Sequence, residues 1–190
     1  MFETLKSNLE KKGYAVSVFA TGDEAVEYLV GAITETTVAF GGSKTLDELG
    51  LFERLAVKND VRWHWRVPEG SNARAVLKSA RDASVYLASA NALAETGEIV
   101  NIDGNGNRVA ETCFGHERVY FVVGRNKIVP TFADALDRAR NVAAPLNARR
   151  LAPSAPNFDV AKICRVTTVF EAAPLMAKYE VVLVDQELGF

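Results

Sequence analysis

A Gly-Gly-Ser segment follows the short apolar stretch TVAF at residues 37–40. Gly41 and Gly42 allow a tight backbone turn, and Ser43 and Thr45 stand where a helix is predicted to begin. Free N–H groups at the start of a helix bind phosphate or carboxylate groups, so this segment is a candidate anion-binding loop. The alternative is an ordinary strand–helix turn, in which the glycines satisfy the backbone geometry and a hydroxyl caps the helix.

A second candidate segment follows the strand-like stretch VYLASA at residues 85–90. Ser89 and Asn91 stand at the end of that stretch, and Glu95 comes shortly before Gly97. A carboxylate near the end of a strand can act as a base, a nucleophile or a hydroxyl ligand. The alternative is a solvated loop acid without a chemical role.

The third candidate segment is VGRNKIVP, which follows the apolar stretch RVYFVVG at residues 118–124. Asn126 and Lys127 stand just past that stretch, and a lysine there could neutralise a substrate anion. Because ligands in open α/β sheets bind at the carboxyl ends of strands, we expect Glu95 and Lys127 to line one pocket as catalytic residues. The alternatives are a surface lysine on a turn and an exposed ion pair.

The segment ETGEIVNIDGNGNRVA, residues 95–110, predicts a β-hairpin whose arms are GEIVNI and RVAETCF. Its tip holds more polar side chains than a turn requires, notably Asn107 and Arg108, so we expect it to form the edge of the pocket. The sequence GNGNRV begins like the Gly-x-Gly-x-x-Gly motif of dinucleotide-binding proteins, but Val109 stands at the position of the third glycine. The segment is also expected between hairpin arms rather than at the start of a helix, so that function is rejected.

Strand-like and helix-like patterns alternate along the chain, which predicts the α/β class. Continuously apolar strands indicate a single doubly wound, largely parallel sheet flanked by helices, with the hairpin as an insertion. Ser/Thr-x-x-Glu capping boxes at Thr21 and Thr45, and caps at Ser71 and Thr131, predict helix starts. We expect one domain over residues 1–190, with a core at about 14–145 and then an irregular connection and a terminal strand.

Composition excludes several classes of function. The chain has 190 residues and a formal net charge of −2, which gives no electrostatic basis for binding nucleic acid. No apolar run has the length of a membrane span, and a cytoplasmic location is expected. The cysteines Cys113 and Cys164 and the two histidines lack metal-ligand spacing, so no metal and no cofactor are predicted.

Taken in chain order, four segments resemble the LUD domain, the lactate-utilisation protein family: GGSKTLDELG, YLASANALAETGEIVNIDGNGNRVAETCFG, VYFVVGRNKIV and AAPLNARRL. The resemblance spans about residues 14–152 and resumes at ELGF. It implies a fold similar to ribose-5-phosphate isomerases, CoA transferases and 5-formyltetrahydrofolate cyclo-ligase. It also implies a role in the oxidation of L-lactate to pyruvate beside iron–sulfur partner subunits. The positions that match the family's motifs are Gly41, Gly42, Ser43, Thr45, Glu48, Ser89, Asn91, Glu95, Gly97, Asp103, Gly104, Gly106, Asn107, Arg108, Asn126 and Lys127.

Three functions are compatible with this resemblance. The first is support of lactate oxidation with a small anionic ligand at the strand ends. The second is a stand-alone transferase, isomerase or cyclo-ligase acting on a phosphorylated, CoA-linked or folate substrate, and the third is a non-catalytic subunit that docks on iron–sulfur partners. Many relatives carry a cysteine-rich tail, whereas here Asn157 follows the proline and only Cys164 remains. The chain departs there from the pattern on which a metal or redox role of the tail would rest.

Overall fold

A parallel six-stranded sheet forms the core of the protein. The computed structural model describes residues 2–155 and 159–190, so Asn157 lies outside the described residues. The strands, numbered along the chain, are β1 (Ala15–Phe19), β2 (Thr37–Phe40), β3 (Asp60–Trp63), β4 (Val85–Ala88), β5 (Ala92–Ala94), β6 (Ile99–Asp103), β7 (Arg118–Gly124), β8 (Ile128–Val129), β9 (Val166–Phe170) and β10 (Lys178–Val184). The central sheet has the order β1-β10-β7-β4-β2-β3, and each of these strand pairs is parallel.

Helices cover both faces of this sheet, which confirms the α/β class and the largely parallel architecture. They are α1 (Glu3–Lys11), α2 (Gly22–Ala32), α3 (Lys44–Glu48), α4 (Leu51–Leu55), α5 (Ala73–Ala80), α6 (Asn107–Cys113), α7 (Phe132–Arg138), α8 (Ala144–Leu151) and α9 (Val160–Ile163). A π-helical turn, Ala139–Ala143, joins α7 to α8. Within the described ranges, none of these helices combines the length and apolarity that crossing a membrane requires.

The capping signals place two of the four predicted helix starts correctly. Thr21 forms the predicted capping box with Glu24, and Thr131 caps α7. Two positions are corrected: α3 is capped by Ser43, so Thr45 lies inside the helix, and α5 is capped by the residue after Ser71. In both cases the true cap is the residue whose side chain reaches the backbone N–H three positions ahead.

The sheet is buried on both faces because its strands are apolar at successive positions. Phe121 of β7 packs in one hydrophobic cluster with Leu183 of β10, and the adjacent Val122 packs in the opposite cluster with Trp63. Strand β10 lies between β1 and β7, pairing with β7 over the whole of its length. The C-terminal strand is therefore central to the core, and residues 144–151 are helical where an irregular connection was expected.

A second sheet, with the order β8-β5-β6-β9, was not predicted. Its hairpin joins β5 to β6, so the predicted hairpin over residues 99–109 is wrong. The segment after β6 becomes helix α6 because Gly106 adopts a left-handed φ of 80° and then serves as the N-cap. Asp103 stabilises this start by accepting a hydrogen bond from the Val109 N–H at 3.1 Å. Strand β6 pairs instead with β5 on one side and β9 on the other.

Candidate functional site

A cavity of about 780 Å³ opens at the carboxyl ends of the parallel strands. Gly42 follows β2, Ser89 follows β4 and Lys127 follows β7, and all three line it. Helices α8 and α9 close the cavity on another side, where Asn147 and Lys162 belong to its lining. The cavity thus occupies the position at which open α/β sheets bind ligands.

The lining of this cavity is strongly cationic although the chain as a whole carries a net charge of −2. Among the described residues that line it, only Asp103 is acidic. Six are basic, namely Lys44, Arg108, Lys127, Arg150, Lys162 and Arg165. Low-dielectric walls around charges of one sign concentrate the field, so the cavity favours anions. Across the described ranges, no group of three or more His, Cys, Asp and Glu side chains is arranged as metal ligands.

Arg108 is the most firmly held of these cations. Its Nε and Nη2 donate to Asp103 Oδ1 at 3.1 and 2.9 Å, and Nη2 also donates to Asn91 Oδ1 at 2.9 Å and to the Ile102 carbonyl at 2.7 Å. The residue is only 8% exposed. Nη1 has no hydrogen-bond acceptor among the described residues, so it is the donor that remains for a ligand.

Gly41 is a glycine because Arg108 packs over it. A Cβ atom at Gly41 would lie 2.9 Å from Arg108 Cγ and 3.0 Å from the Tyr86 hydroxyl. The Gly41 N–H donates to the Leu87 carbonyl at 2.9 Å, and its carbonyl accepts from Trp63 Nε1 at 3.1 Å. The prediction that the Gly41 amide binds an anion is therefore wrong, because the parallel ladder already uses that N–H group.

Gly42 and Ser43 do line the cavity, next to His64 and Trp65. A Cβ atom at Gly42 would be 3.4 Å from His64 Nε2 and from the Trp65 ring, which shows how closely the two aromatic residues approach this loop. Burial lowers the pKa of His64, which favours its neutral form. The Trp65 ring stacks on Trp63 at 5.1 Å, so it forms a fixed wall.

Lys127 is a buried lysine, 3% exposed, rather than the surface lysine of the alternative interpretation. Its Nζ hydrogen-bonds to Thr45 Oγ1 at 2.7 Å and to Ser89 Oγ at 3.0 Å. Burial, reinforced by the nearby Arg138 and Arg108 guanidinium groups, lowers its pKa from 10.5 to about 7. A substantial fraction of Lys127 is therefore neutral at neutral pH.

Asn126 does not belong to the cavity lining but holds the C-terminal segment beside it. Its side chain accepts from the Leu188 N–H at 3.1 Å and donates to the Gly189 carbonyl at 3.2 Å. Thr45 Oγ1 donates to the Leu188 carbonyl at 3.1 Å, and Glu48 accepts from the Gly189 N–H at 2.6 Å. This segment, part of the sequence ELGF, thus lies next to Lys127 and contributes Phe190 to the cavity lining.

The remaining predicted residues of the site fall into two groups. Ser89, Asn91, Asn107 and Arg108 all lie in the cavity lining, so the tip of the predicted hairpin does contribute to the site. Asn91 also fixes Arg108 and accepts from the Ile102 N–H at 2.8 Å. Their contact with a ligand stays a prediction.

Glu95 and Gly97 lie outside the cavity lining. Glu95 is exposed, and its carbonyl accepts from Asn8 of α1 at 2.8 Å. Because Leu93 pairs with Ile128, Lys127 is level with Ala92, and Glu95 lies three residues further along, about 10 Å away at a rise of about 3.3 Å per residue. The predicted pairing of Glu95 with Lys127 is wrong for this reason.

Sequence reasoning missed the part of the lining that comes from outside the three loops. His64 and Trp65 are two such residues, because β3 ends at Trp63 and the chain then turns toward the cavity. Arg150, Lys162 and Arg165 come from the region expected to be irregular. The basic character of that region was the available signal, but its position over the cavity depends on how α8 and α9 pack.

The protein is thus of the α/β class, with a cavity lined by basic side chains at the carboxyl edge of its parallel sheet. The family model of the LUD domain matches residues 2–184, and the chain belongs to this family, as its resemblance to lactate-utilisation proteins implied. Among solved structures, the fold is similar to a DUF162 family protein from Deinococcus radiodurans, with a TM-score of 0.58 and 16% identity over 95% of this chain and 94% of that one. No curated protein matches the sequence.

Proposed function

We propose that the protein binds a small organic anion of the hydroxy-acid or oxo-acid class in this cavity and thereby supports the oxidation of L-lactate to pyruvate. The observation that carries the proposal is the ratio of six basic side chains to one acidic side chain in the cavity of a net acidic protein. Membership of the LUD domain family supports the link to lactate. A role beside iron–sulfur subunits is supported by the family membership and by no other observation.

Arg108 is the main contact proposed for the ligand's carboxylate. Its Nη1 points to no described acceptor, while Asp103 and Asn91 hold the rest of the guanidinium in place. A preorganised guanidinium loses little side-chain entropy on binding, which makes it a strong carboxylate receptor. The backbone N–H groups of Gly42 and Ser43 provide further donors in the same lining.

Lys127 is proposed to take the second polar group of the ligand. Its two described partners are hydroxyl groups, not a carboxylate, so it keeps a charge or a donor available for an anion. A ligand anion would favour the ammonium form and raise the lysine pKa again. Binding is therefore expected to take up a proton near neutral pH, which calorimetry in buffers of different ionisation enthalpy detects.

The second candidate function is a stand-alone transferase, isomerase or cyclo-ligase for a larger phosphorylated, CoA-linked or folate substrate. The volume of the cavity favours it: about 780 Å³ lies in the range of pockets that hold drug-sized ligands and exceeds the needs of a three-carbon acid. Both candidates require the same cations, and they differ in how much of the cavity the ligand fills.

The test is a thermal-shift and calorimetry series with L-lactate, pyruvate, a sugar phosphate, an acyl-CoA and a folate. A ligand at about 100 times its dissociation constant adds about 2.7 kcal/mol to the free energy of unfolding, which shifts the melting temperature measurably. Lactate or pyruvate binding supports the first candidate, and exclusive binding of a larger anion supports the second. If none of these anions binds, both candidates fail.

A matched pair of variants locates the binding site. Gly42→Leu places a side chain against His64 and Trp65 in the cavity and should abolish binding. Lys58→Ala removes an exposed cation beyond the end of α4 and should leave binding unchanged. Equal affinity in the two variants would place the anion elsewhere.

A further inference from the structure

Ser89, Lys127 and Thr45 form a chain of side-chain hydrogen bonds beside the cavity; Ser89 and Lys127 line the cavity, and Thr45 lies outside its lining. Lys127 Nζ lies 3.0 Å from Ser89 Oγ and 2.7 Å from Thr45 Oγ1. The three side chains are almost fully buried, at 2%, 3% and 0% exposure for Ser89, Lys127 and Thr45. A hydroxyl within hydrogen-bond reach of a base that a third group orients is the arrangement of an activated nucleophile.

The number of hydrogens available in this chain of hydrogen bonds gives each of the three side chains one role. Thr45 Oγ1 donates its hydrogen to the Leu188 carbonyl at 3.1 Å, so it can only accept from Lys127. Ser89 has no other described side-chain partner, so its hydroxyl hydrogen is available. When Lys127 is neutral, its lone pair can accept that hydrogen while one of its N–H groups stays on Thr45.

The charges around Lys127 favour that neutral form. Arg138 of α7 and Arg108 of α6 act on it from two sides, and Glu48 of α3 is the acid that opposes them. Burial adds the cost of desolvating an ammonium group. The neutral amine is therefore populated near neutral pH, where a general base is most useful.

We propose that Ser89 is a nucleophile that accepts an acyl group from an anionic acyl donor, such as an ester or thioester of a dicarboxylic acid. Lys127 is the general base, and Thr45 is a positioning residue that orients it. In the first step the Ser89 Oγ–H proton passes to Lys127 Nζ while Oγ forms a bond to the acyl carbon. The bond from that carbon to the leaving group breaks, and the leaving group departs with the electron pair. Lys127 passes its extra proton to the leaving group or to solvent and is neutral again.

The second step returns the protein to its starting state. A water molecule or an acceptor hydroxyl attacks the ester and gives its proton to the neutral Lys127. Lys127 passes this proton to Ser89 Oγ as the bond from Oγ to the acyl carbon breaks and the acyl product leaves. No oxidant or metal is needed for this balance. The proposal rests on the proposed function, since Arg108 would hold the donor's free carboxylate and the Gly42 and Ser43 amides lie in the same wall.

The experiment uses two p-nitrophenyl esters, the anionic mono-ester of succinic acid and the neutral acetate. Release of p-nitrophenolate should show a burst of one equivalent with the anionic ester, and acid quench followed by peptide mass spectrometry should place the succinyl group on Ser89. The burst rate should rise with pH as Lys127 loses its proton, with a midpoint at or above the pKa of about 7 of the free protein, because the bound anion raises that pKa. An adduct on Lys127 instead of Ser89, or no burst, overturns the proposal.

Variants separate chemistry from structure. Ser89→Ala should lose the burst, and Lys127→Met should slow it by at least about 100-fold, the usual contribution of a general base. Thr45→Val should slow it less and shift its pH profile. Ser79→Ala, in α5, and Lys178→Met, at the exposed start of β10, are the matched controls and should react as the wild type does.

A cysteine variant keeps the proposal testable if Ser89→Ala does not fold. In Ser89→Cys, Lys127 should raise the reactivity of the new thiol toward iodoacetate, while Cys113 serves as the internal control because burial raises its pKa. If the thiol reacts more slowly in the Ser89→Cys/Lys127→Met double variant than in Ser89→Cys, the base role of Lys127 is supported. If the thiol reacts equally fast in the two variants, the base role is contradicted. Anion binding measured by calorimetry without any burst would leave the proposed function standing and reject this inference.

Discussion

The two ends of strand β6 carry similar residue types but have different partners. The end that begins the strand reads Glu95-Thr96-Gly97-Glu98, and the other reads Asp103-Gly104-Asn105-Gly106. Both combine an acid with glycines in a turn, and both looked like parts of one site. In the structure only the second end, from Asp103 onward, contributes to the cavity.

The first end is a docking point for helix α1. Lys12, the residue after α1, donates to Glu98 at 2.8 Å and to the Glu171 carbonyl at 2.8 Å, and Asn8 of α1 donates to the Glu95 carbonyl. At the second end Asp103 instead binds Arg108, which lies in the cavity wall. Strand β6 has five residues and separates the two ends by about 17 Å. The first end therefore only fixes α1 to the sheet, whereas the second end contributes to the cavity lining.

The largest effect that tests this contrast is expected at Arg108. Arg108→Gln leaves the Asp103 carboxylate without its counter-ion at 13% side-chain exposure, and breaking a buried pair costs about 3–5 kcal/mol. Anion affinity should also fall by at least about tenfold, as for the loss of a charged hydrogen bond. Urea unfolding and calorimetry measure the two effects.

The double variant Asp103→Asn/Arg108→Gln is the control for this prediction. It removes both charges, so part of the stability should return while anion binding stays weak. A single Arg108→Gln variant that binds anions as the wild type does would show that the second end of β6 is scaffold as well.

A smaller effect is expected from Gly97→Ala at the first end. Gly97 has a φ of 99°, and a Cβ atom there would lie 2.8 Å from Lys12 Cδ. The backbone strain alone costs about 1–2 kcal/mol. The free energy of unfolding should fall by that amount while anion affinity stays unchanged, because this turn is outside the cavity. If Gly97→Ala weakened anion binding without lowering the free energy of unfolding, the two ends of β6 would not differ in the way described.

Lys127 should make the free energy of unfolding depend on pH, by about 1.4 kcal/mol per pH unit at most. Its folded-state pKa of about 7 lies below the 10.5 of an ordinary lysine, so above pH 7 the unfolded state binds more protons than the folded state. The free energy of unfolding should therefore rise from about pH 7 to about pH 9. Lys127→Met should lose this rise and Lys178→Met should keep it, as measured by urea unfolding at each pH. A slope that survives in Lys127→Met would assign it to another group.

The smallest effect is expected for Glu95→Gln. The Glu95 side chain is exposed and has no described hydrogen-bond or ion-pair partner, so the free energy of unfolding should change by less than about 0.5 kcal/mol. Anion affinity and the ester burst should also match those of the wild type. A large loss of either would restore Glu95 to the site and show that the first end of β6 moves toward the cavity.

Local sequence patterns were sufficient for the α/β class and for the loops after β2, β4 and β7. Continuous apolar runs predicted buried parallel strands, and this in turn predicted that the loops after these strands lie at one edge of the sheet. The same reasoning failed for residues 99–109, because an Asp-Gly and Asn-Gly segment is compatible with a hairpin and with a helix start. The left-handed Gly106 and the available partners β5 and β9 decided between them.

The sequence by itself determined which residues precede and follow each strand, because hydrophobic periodicity and capping are properties of neighbouring residues. It therefore indicated the positions of Gly42, Ser89 and Lys127 at the strand ends. Only the tertiary structure decided that Arg150 lines the cavity and that Glu95 does not. Those placements depend on strand register and on helix packing, which are fixed by contacts between residues far apart in the chain. The basic character of the site is such a property, since its six basic side chains come from segments spread over residues 44–165.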